Sequence, residues 1–480
     1  MFVECSRAGR VGQKPGQAPR SGIRCGLIAA DASGVPGVAV WRGTFGAAQA
    51  ERLLWRAGFG PRPGEAQKLA RLGLEGAVHK LTHPGREHLV GHRPHDEKGR
   101  PLAPYDAWGH DHLWWLDRMV RTSRPLVERM TLIWHDWFAT SNNGVGSQRL
   151  MLNQNELFRR RGLGSFHELL LDVTKDPAML LWLNGSDNSK DSPNENYARE
   201  MMELFTLGAD RGYTESDVRQ QARALTGFRN GWSQNSGPVN FRYDPGSHDP
   251  GVKTIFHHRG RFTWKDSCRL CVTHPDHASF FVQKLWSYFV PEPPDHATQR
   301  GLERLYKTSK YEVRPVVAAI LRHPALYRGP RLVKSPVVYN AGLLRRLRRG
   351  IDTTAWTWLD SMAGQQLFYP PNVAGWDDTR WLDTASWRGR WWIAQYAVDR
   401  QALDPGHAHQ PYDAQKLLDG AYRFWHDPPL GRDTRHALST FTHRALGDAR
   451  SASWKREQYP VMVQNALRQL IAVSPELQAA

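Results

Sequence analysis

Cysteine, long apolar runs and the glycine loops of nucleotide-binding folds are scarce or missing in this sequence. Four Cys in 480 residues are too few for a disulfide framework. No uninterrupted apolar run reaches the ~18 residues of a membrane-spanning helix. Gly-x-Gly-x-x-Gly after a strand, Gly-x4-Gly-Lys-Ser/Thr, His-Glu-x-x-His and Gly-x-Ser-x-Gly are all absent. These absences exclude the motif-bearing dinucleotide, phosphate-loop, zinc-protease and nucleophile-elbow classes. Acidic charge is also short: 47 Asp+Glu face 64 Lys+Arg, leaving +17 with His neutral. A hydrophobic fraction of 40% with 11% aromatics excludes a disordered or low-complexity chain. The length suits two to three domains or one large one, with a substantial core.

Residues 1–46, with Cys5 and Cys25, are rich in Gly, Pro, Arg and Ser, and are expected to be a disordered extension. No basic segment followed by an apolar one is readable there, so the expectation is a cytoplasmic protein. A misassigned start codon would reverse that and leave export open.

Helical periodicity dominates the rest. An amphipathic segment at 48–58 is interrupted by Gly58-Phe59-Gly60-Pro61, and Pro63 opens a second helix to about Leu81. Residues 83–104 read as a loop. Further helices are predicted over 111–121, 125–138, 147–161, 166–174, 177–183 and 194–207, the last stopped by Gly208. A Thr214/Asp217 capping box starts the next, ending near Gly227. Residues 228–266 lack a 3.6 period and read as a long loop with short strands. Helices resume over 275–289, 297–309, 314–322, 335–349 and most of 385–475, with 367–384 irregular. Without βαβ alternation the class is mainly α, a multi-helix globular domain with long irregular loops. The parsing is a helical domain at 47–400, with a sub-boundary near 228–266, and a helical C-terminal extension at 401–480.

The densest chemistry is Asn194-Glu195-Asn196-Tyr197-Ala198-Arg199-Glu200-Met201-Met202-Glu203. On a helix, Asn196, Arg199, Glu200 and Glu203 share one face, with Tyr197, Met201, Leu204 and Phe205 opposite. Two carboxylates one turn apart beside an Arg suit acid/base work or a divalent cation. The plainer reading is a solvated face laced by Glu195–Arg199 and Arg199–Glu203 pairs. His135 lies at the edge of an aromatic face formed by Trp134, Trp137 and Phe138, which suits a tuned imidazole or a core-edge one. His248, in a loop beside Asp249, is a candidate ligand group or an exposed turn.

Cys268, Cys271, His274 and His277 recur every third residue, a weak zinc spacing against buried small hydrophobes and a helix start. Arg345-Arg346-Leu347-Arg348-Arg349 faces phosphate or forms a solvated helix end. Seven of the 20 Trp fall within 356–392, as ring-stacking surfaces or as core filling where helices meet. The core reading is favoured for the helical ones and is less secure for Trp376.

A series of ordered segments resembles one family. They are LLWRAGFG (53–60), RPLVERMTLIWHDWFATS (124–141), DPAMLLWL (176–183), PNENYAREMMELFTLG (193–208), GYTESDVRQQARALTG (212–227), KLWSYF (284–289), KSP (334–336) and PPNVAGW (370–376). Together they resemble the bacterial "domain of unknown function 1800", over about Ala48 to Val398. The resemblance implies a mainly helical protein without an assigned reaction. It also implies a partner resembling sulfatases or alkaline phosphatases, and export of many members. Where this chain has Trp137 many relatives carry a second His, which weakens a metal site on His135. The family's most distinctive block falls on Asn194–Glu203, which tips that stripe toward a site or a buried polar network.

Two functions follow. One is an enzyme on a polar or anionic substrate, with Glu200 and Glu203 as acid/base or cation ligands, Arg199 and Asn196 orienting, and His135 and His248 assisting. The other is a non-catalytic binding or assembly protein, with the Trp/Arg-rich C-terminal third as contact surface. Nucleic-acid binding is the weaker third, because the 141–230 block has 11 basic against 12 acidic residues and the surplus lies elsewhere.

Overall fold

Amphipathic segments punctuated by Gly and Pro give short helices, and these must bury their apolar stripes against one another. The computed structural model describes residues 35–448 and 453–480, and there it is mainly α, with 23 α-helices. The expectation of disorder for residues 1–34 lies outside the described residues. Residues 35–46, placed in the same extension by composition, lie against the fold. Val38 is buried, and the Trp41 N–H donates to the Arg322 carbonyl at 2.8 Å.

Side-chain packing forms two buried clusters. The first joins residues from the Ala47–Arg56 and Pro125–Trp137 helices to residues 157–225 and 255–327. The second joins 113–120 and 337–398 to 417–477. Four helices serve both, Gln148–Arg161 and Pro177–Trp182 among them. The Pro125–Trp137 helix gives Leu126, Met130 and Ile133 to the first cluster and Leu132 to the second. The Ala47–Arg56 helix divides Leu53 and Leu54 from Trp55 in the same way. Helices beyond residue 400 therefore share a core with those before it: Leu417, Trp425 and Leu467 pack in one cluster with Trp115, Val337 and Trp356.

Local chemistry explains most boundaries. Asp176, Thr214 and Asp295 cap their helices by accepting backbone N–H bonds. The single helix predicted from Pro63 to Leu81 is two, Glu65–Ala70 and Gly73–Thr82, because Gly73 opens the second at φ +65°. Helices absent from the periodicity reading are present too, the longest being Trp264–Thr273 and Ala355–Met362. The irregular 228–260 stretch resolves into two antiparallel hairpins, Phe228–Ser233 with Gly237–Tyr243 and Lys253–Ile255 with His258–Gly260. The second turns through Phe256 and His257, both at positive φ. The Phe256 N–H is held there by Asp217 Oδ1 at 2.7 Å.

Of three motif readings, the buried-cysteine one holds and two are corrected. Cys268 and Cys271 are buried; Cys268 Sγ contacts Thr174 Oγ1 at 3.2 Å, and Cys271 Sγ accepts from Gln221 at 3.0 Å. Burial pushes the Cys268 thiol up to about 12, away from the thiolate that zinc requires. In the basic cluster, Arg345 and Arg346 are buried and paired with Glu65 and Glu51. They tie helices together and do not form a solvated end. Among the five helical Trp of 356–392, only Trp356 fills the core, whereas Trp358, Trp387, Trp391 and Trp392 are exposed.

Candidate functional site

The polar stripe begins as a short α-helix, Asn196–Glu200, and continues as a wider π turn, Met201–Thr206. The Leu207 N–H reaches back five residues to the Met202 carbonyl at 2.8 Å, and Thr206 Oγ1 reaches Met201 at 2.6 Å. Such turns recur at functional positions. Widening the turn aims the last carbonyls sideways, and three side chains receive them. Lys284 Nζ donates to Leu204 at 2.8 Å, Trp137 Nε1 to Phe205 at 3.0 Å, and His277 Nδ1 to Thr206 at 2.8 Å. A cation at a helix C-terminus also complements the dipole. Tyr197, Met201, Met202 and Phe205 are buried beneath, with the Tyr197 hydroxyl 2.8 Å from Thr174 Oγ1.

On the outer face Arg199 is surrounded by carboxylates. It donates twice to Glu215 at 2.8 Å, to Glu195 at 3.2 Å and to Glu203 at 3.4 Å. Glu215, the tightest of these partners, follows the Thr214 cap and was invisible to spacing on a single helix. Asn196 is exposed and bridges to Asn184 Oδ1 at 3.1 Å. Glu200 is half-buried, and burial followed by repulsion from Glu203 raises its pKa, with Arg199 opposing. Tyr213 is pushed up to about 12, by burial first and by Glu203 second.

His135 lies elsewhere. It is buried among Trp115, Phe368 and Trp376, and its Nε2 accepts the Phe368 N–H at 3.2 Å. Burial drives its pKa down to about 3, so the ring is neutral. Its neighbour Asp136 holds the other end of the same loop, accepting the Trp376 N–H at 2.9 Å on Oδ1 and the Tyr288 O–H at 2.7 Å on Oδ2. Between these two anchors the 364–376 loop passes through Phe368 at φ +68° and Gly375 at φ +92°. A Cβ on Gly375 would fall 2.3 Å from Asp136 Oδ1, so only glycine fits. Lys284 sits 4.6 Å from the centre of the Trp137 ring, and burial lowers its pKa to about 8, with Asp136 opposing. WHDW, KLWSYF, PPNVAGW and the end of the 194–208 block thus meet at one junction. Asp136, Lys284 and Tyr288 were not singled out as site residues; the only sequence signal for them is their place inside the resembling segments.

His248 is in a third place. Its Nδ1 lies 3.0 Å from the Thr226 carbonyl and 3.1 Å from its hydroxyl, which fixes the hairpin loop to the end of the Glu215–Ala224 helix. The stripe residues Asn196, Arg199, Glu200 and Glu203 stay together, but His135 and His248 share no hydrogen-bond partner with them. None of the six lines the surface hollows of about 310 to 600 Å³ on the described face. Among the described residues no group of three or more His, Cys, Asp or Glu side chains could hold a metal ion, and Glu203 is spent on Arg199. No helix among them is long and apolar enough to cross a membrane.

Compared with known proteins, the chain matches the family described as "Protein of unknown function (DUF1800)" over residues 52–479, and it belongs to that family. The match runs on through the helices after residue 400. No curated protein and no solved structure matches the chain.

Proposed function

We propose that this DUF1800 member is a non-catalytic binding or assembly protein whose contact face is the exposed indole surface of the Ala355–Met362 and Thr384–Asp399 helices. The observation that carries this reading is the dispersal of the catalytic candidates. Arg199 is saturated by three carboxylates, His135 is a buried acceptor for a loop N–H, and His248 fixes a hairpin. Acid/base chemistry needs such groups within reach of one reacting atom. By contrast, Trp358, Trp387, Trp391 and Trp392 stand between 36% and 42% exposed on two adjacent helices. Exposed large aromatics grouped on neighbouring helices mark interaction surfaces. The partner class is the sulfatase- or alkaline-phosphatase-like protein implied by the family resemblance.

The test is a titration of the full chain against such a partner from the same source. Trp387→Ser/Trp391→Ser should keep the wild-type melting temperature and weaken binding at least ~10-fold, the usual scale for aromatic anchors. Unchanged affinity would remove the reading.

One observation favours the enzyme reading, with a polar or anionic substrate: Glu200 has no ion pair among the described residues and a pKa raised by burial, as a general acid requires. Glu200→Gln and Glu203→Gln distinguish the two. Loss of a cellular phenotype in both, at wild-type stability, would restore catalysis; retention of it leaves the stripe as structure.

A further inference from the structure

A hollow of about 570 Å³ opens between the Ala47–Arg56 helix, the 327–346 segment and residues 476–480. Two of its lining residues come from segments that carry the family resemblance, Trp55 of LLWRAGFG and Lys334 of KSP. Lys334 is 5% exposed, and its ammonium lies 3.7 Å from the centre of the Trp55 ring. It donates one hydrogen bond, to the Leu477 carbonyl at 2.6 Å. An ammonium carries three donors, so two remain unspent among the described residues.

Arg346 on this wall is paired with Glu51, but two further cations, Arg52 and Arg331, have no ion-paired acid among the described residues. Arg52 donates only to the carbonyls of Tyr327, Gly329 and Pro330, and its Nε is buried without an acceptor. Arg331 is exposed at the mouth, near enough to Glu476 to help lower that carboxyl's pKa after its hydrogen bonds, and has no hydrogen-bond partner among the described residues. The acids that are present are engaged or peripheral. Glu51 pairs with Arg346, Glu476 accepts from the Gly431 N–H and from Thr434, and Asp427 is exposed. Burial first, and then Arg346, Arg331 and Arg390 against Glu51, hold the Lys334 pKa well below the usual lysine range. A buried ammonium facing an excess of positive charge is costly unless an anion offsets it.

We propose that this hollow binds a small oxyanion ligand, a carboxylate or phosphate compound, held by Lys334 and Arg52 from within and met at the mouth by Arg331. Planar guanidinium groups and a compact ammonium suit such oxygens. The site shares no residue with the indole face, so either proposal can fail without the other.

The experiment is calorimetric titration of the full chain with pyrophosphate and with citrate at low salt. Saturable one-to-one binding of at least one of them is expected. Pyrophosphate alone assigns the phosphate class, and citrate alone the carboxylate class. Arg331→Ala, an exposed change, should weaken binding about 10-fold, and Lys334→Gln should abolish it at an unchanged melting temperature. If Lys334→Gln does not fold, Arg331→Ala decides. Absence of saturable binding to the wild-type chain, or wild-type affinity in Arg331→Ala, overturns the proposal.

Discussion

Several residues that look chemical in the sequence are spent on holding backbone. His135 and Asp136 each receive an N–H from the 364–376 loop, and Gly375 closes against Asp136 because no Cβ fits. Gly375→Ala combines a 2.3 Å collision with a positive φ. It should therefore destabilise by at least ~2 kcal/mol, read as a lower urea midpoint with the slope unchanged. Glu203→Gln is the opposite case. It removes one of three carboxylates from a partly exposed Arg199, so stability should change by less than ~1 kcal/mol.

Among elements, the Asn196–Thr206 segment shows what a polar helix can hide. Its outer face reads as a line of i,i+4 pairs, and those pairs exist, at 3.2 and 3.4 Å. What periodicity at 100° per residue could not show is the π turn, whose carbonyls are met by donors from residues 137, 277 and 284. Lys284→Met keeps most of the side-chain bulk and removes one donor, leaving the Leu204 carbonyl unpaired. A cost of ~1–3 kcal/mol is expected, with amide exchange of residues 204–208 accelerated ahead of the rest. Exchange that speeds up evenly across the chain would contradict this local role. Helix starts and stops were mostly legible, because caps such as Asp176, Thr214 and Asp295 act on adjacent backbone. The Trp264–Thr273 and Ala355–Met362 helices were not, since both adjoin irregular stretches whose composition masked their short apolar faces.

For the whole molecule, the boundary placed at residue 400 meets a shared core. Leu417, Trp425 and Leu467 are buried in one cluster with residues before 400. A chain ending at residue 400 should be insoluble, or should expose apolar surface to a dye such as ANS. A soluble, cooperatively melting fragment would support the boundary.

Acid sensitivity is a second global property. His135 and His277 are buried with pKa values pushed down to about 3 and about 4. Depressed below their unfolded values, they contribute stability that is complete above about pH 6.5 and falls as pH drops toward those folded values. Each should cost about 1.4 kcal/mol per pH unit inside that window. Asp176, raised by burial to about 7, works in the other direction: its contribution is present at low pH and is lost as pH rises from about 4 to 7. Asp117, raised by burial to about 6, acts with Asp176, so two groups oppose the two histidines between about pH 4 and 6. His277→Gln removes one histidine contribution, so the melting temperature of the variant should gain on that of the wild type as pH falls from about 6 to about 4.

The sequence by itself determined the helical class, most helix boundaries and the family, because these depend on neighbours a few residues apart and on ordered segments. Only the tertiary structure decided which chemical groups meet. It parted His135 and His248 from the 194–203 stripe and gave Arg199 its tightest partner in Glu215. It also joined Trp55 to Lys334 across 279 residues of chain. The physical reason is that burial and pairing of a charge depend on side chains brought together by packing two cores, and such contacts leave no periodic trace along the chain.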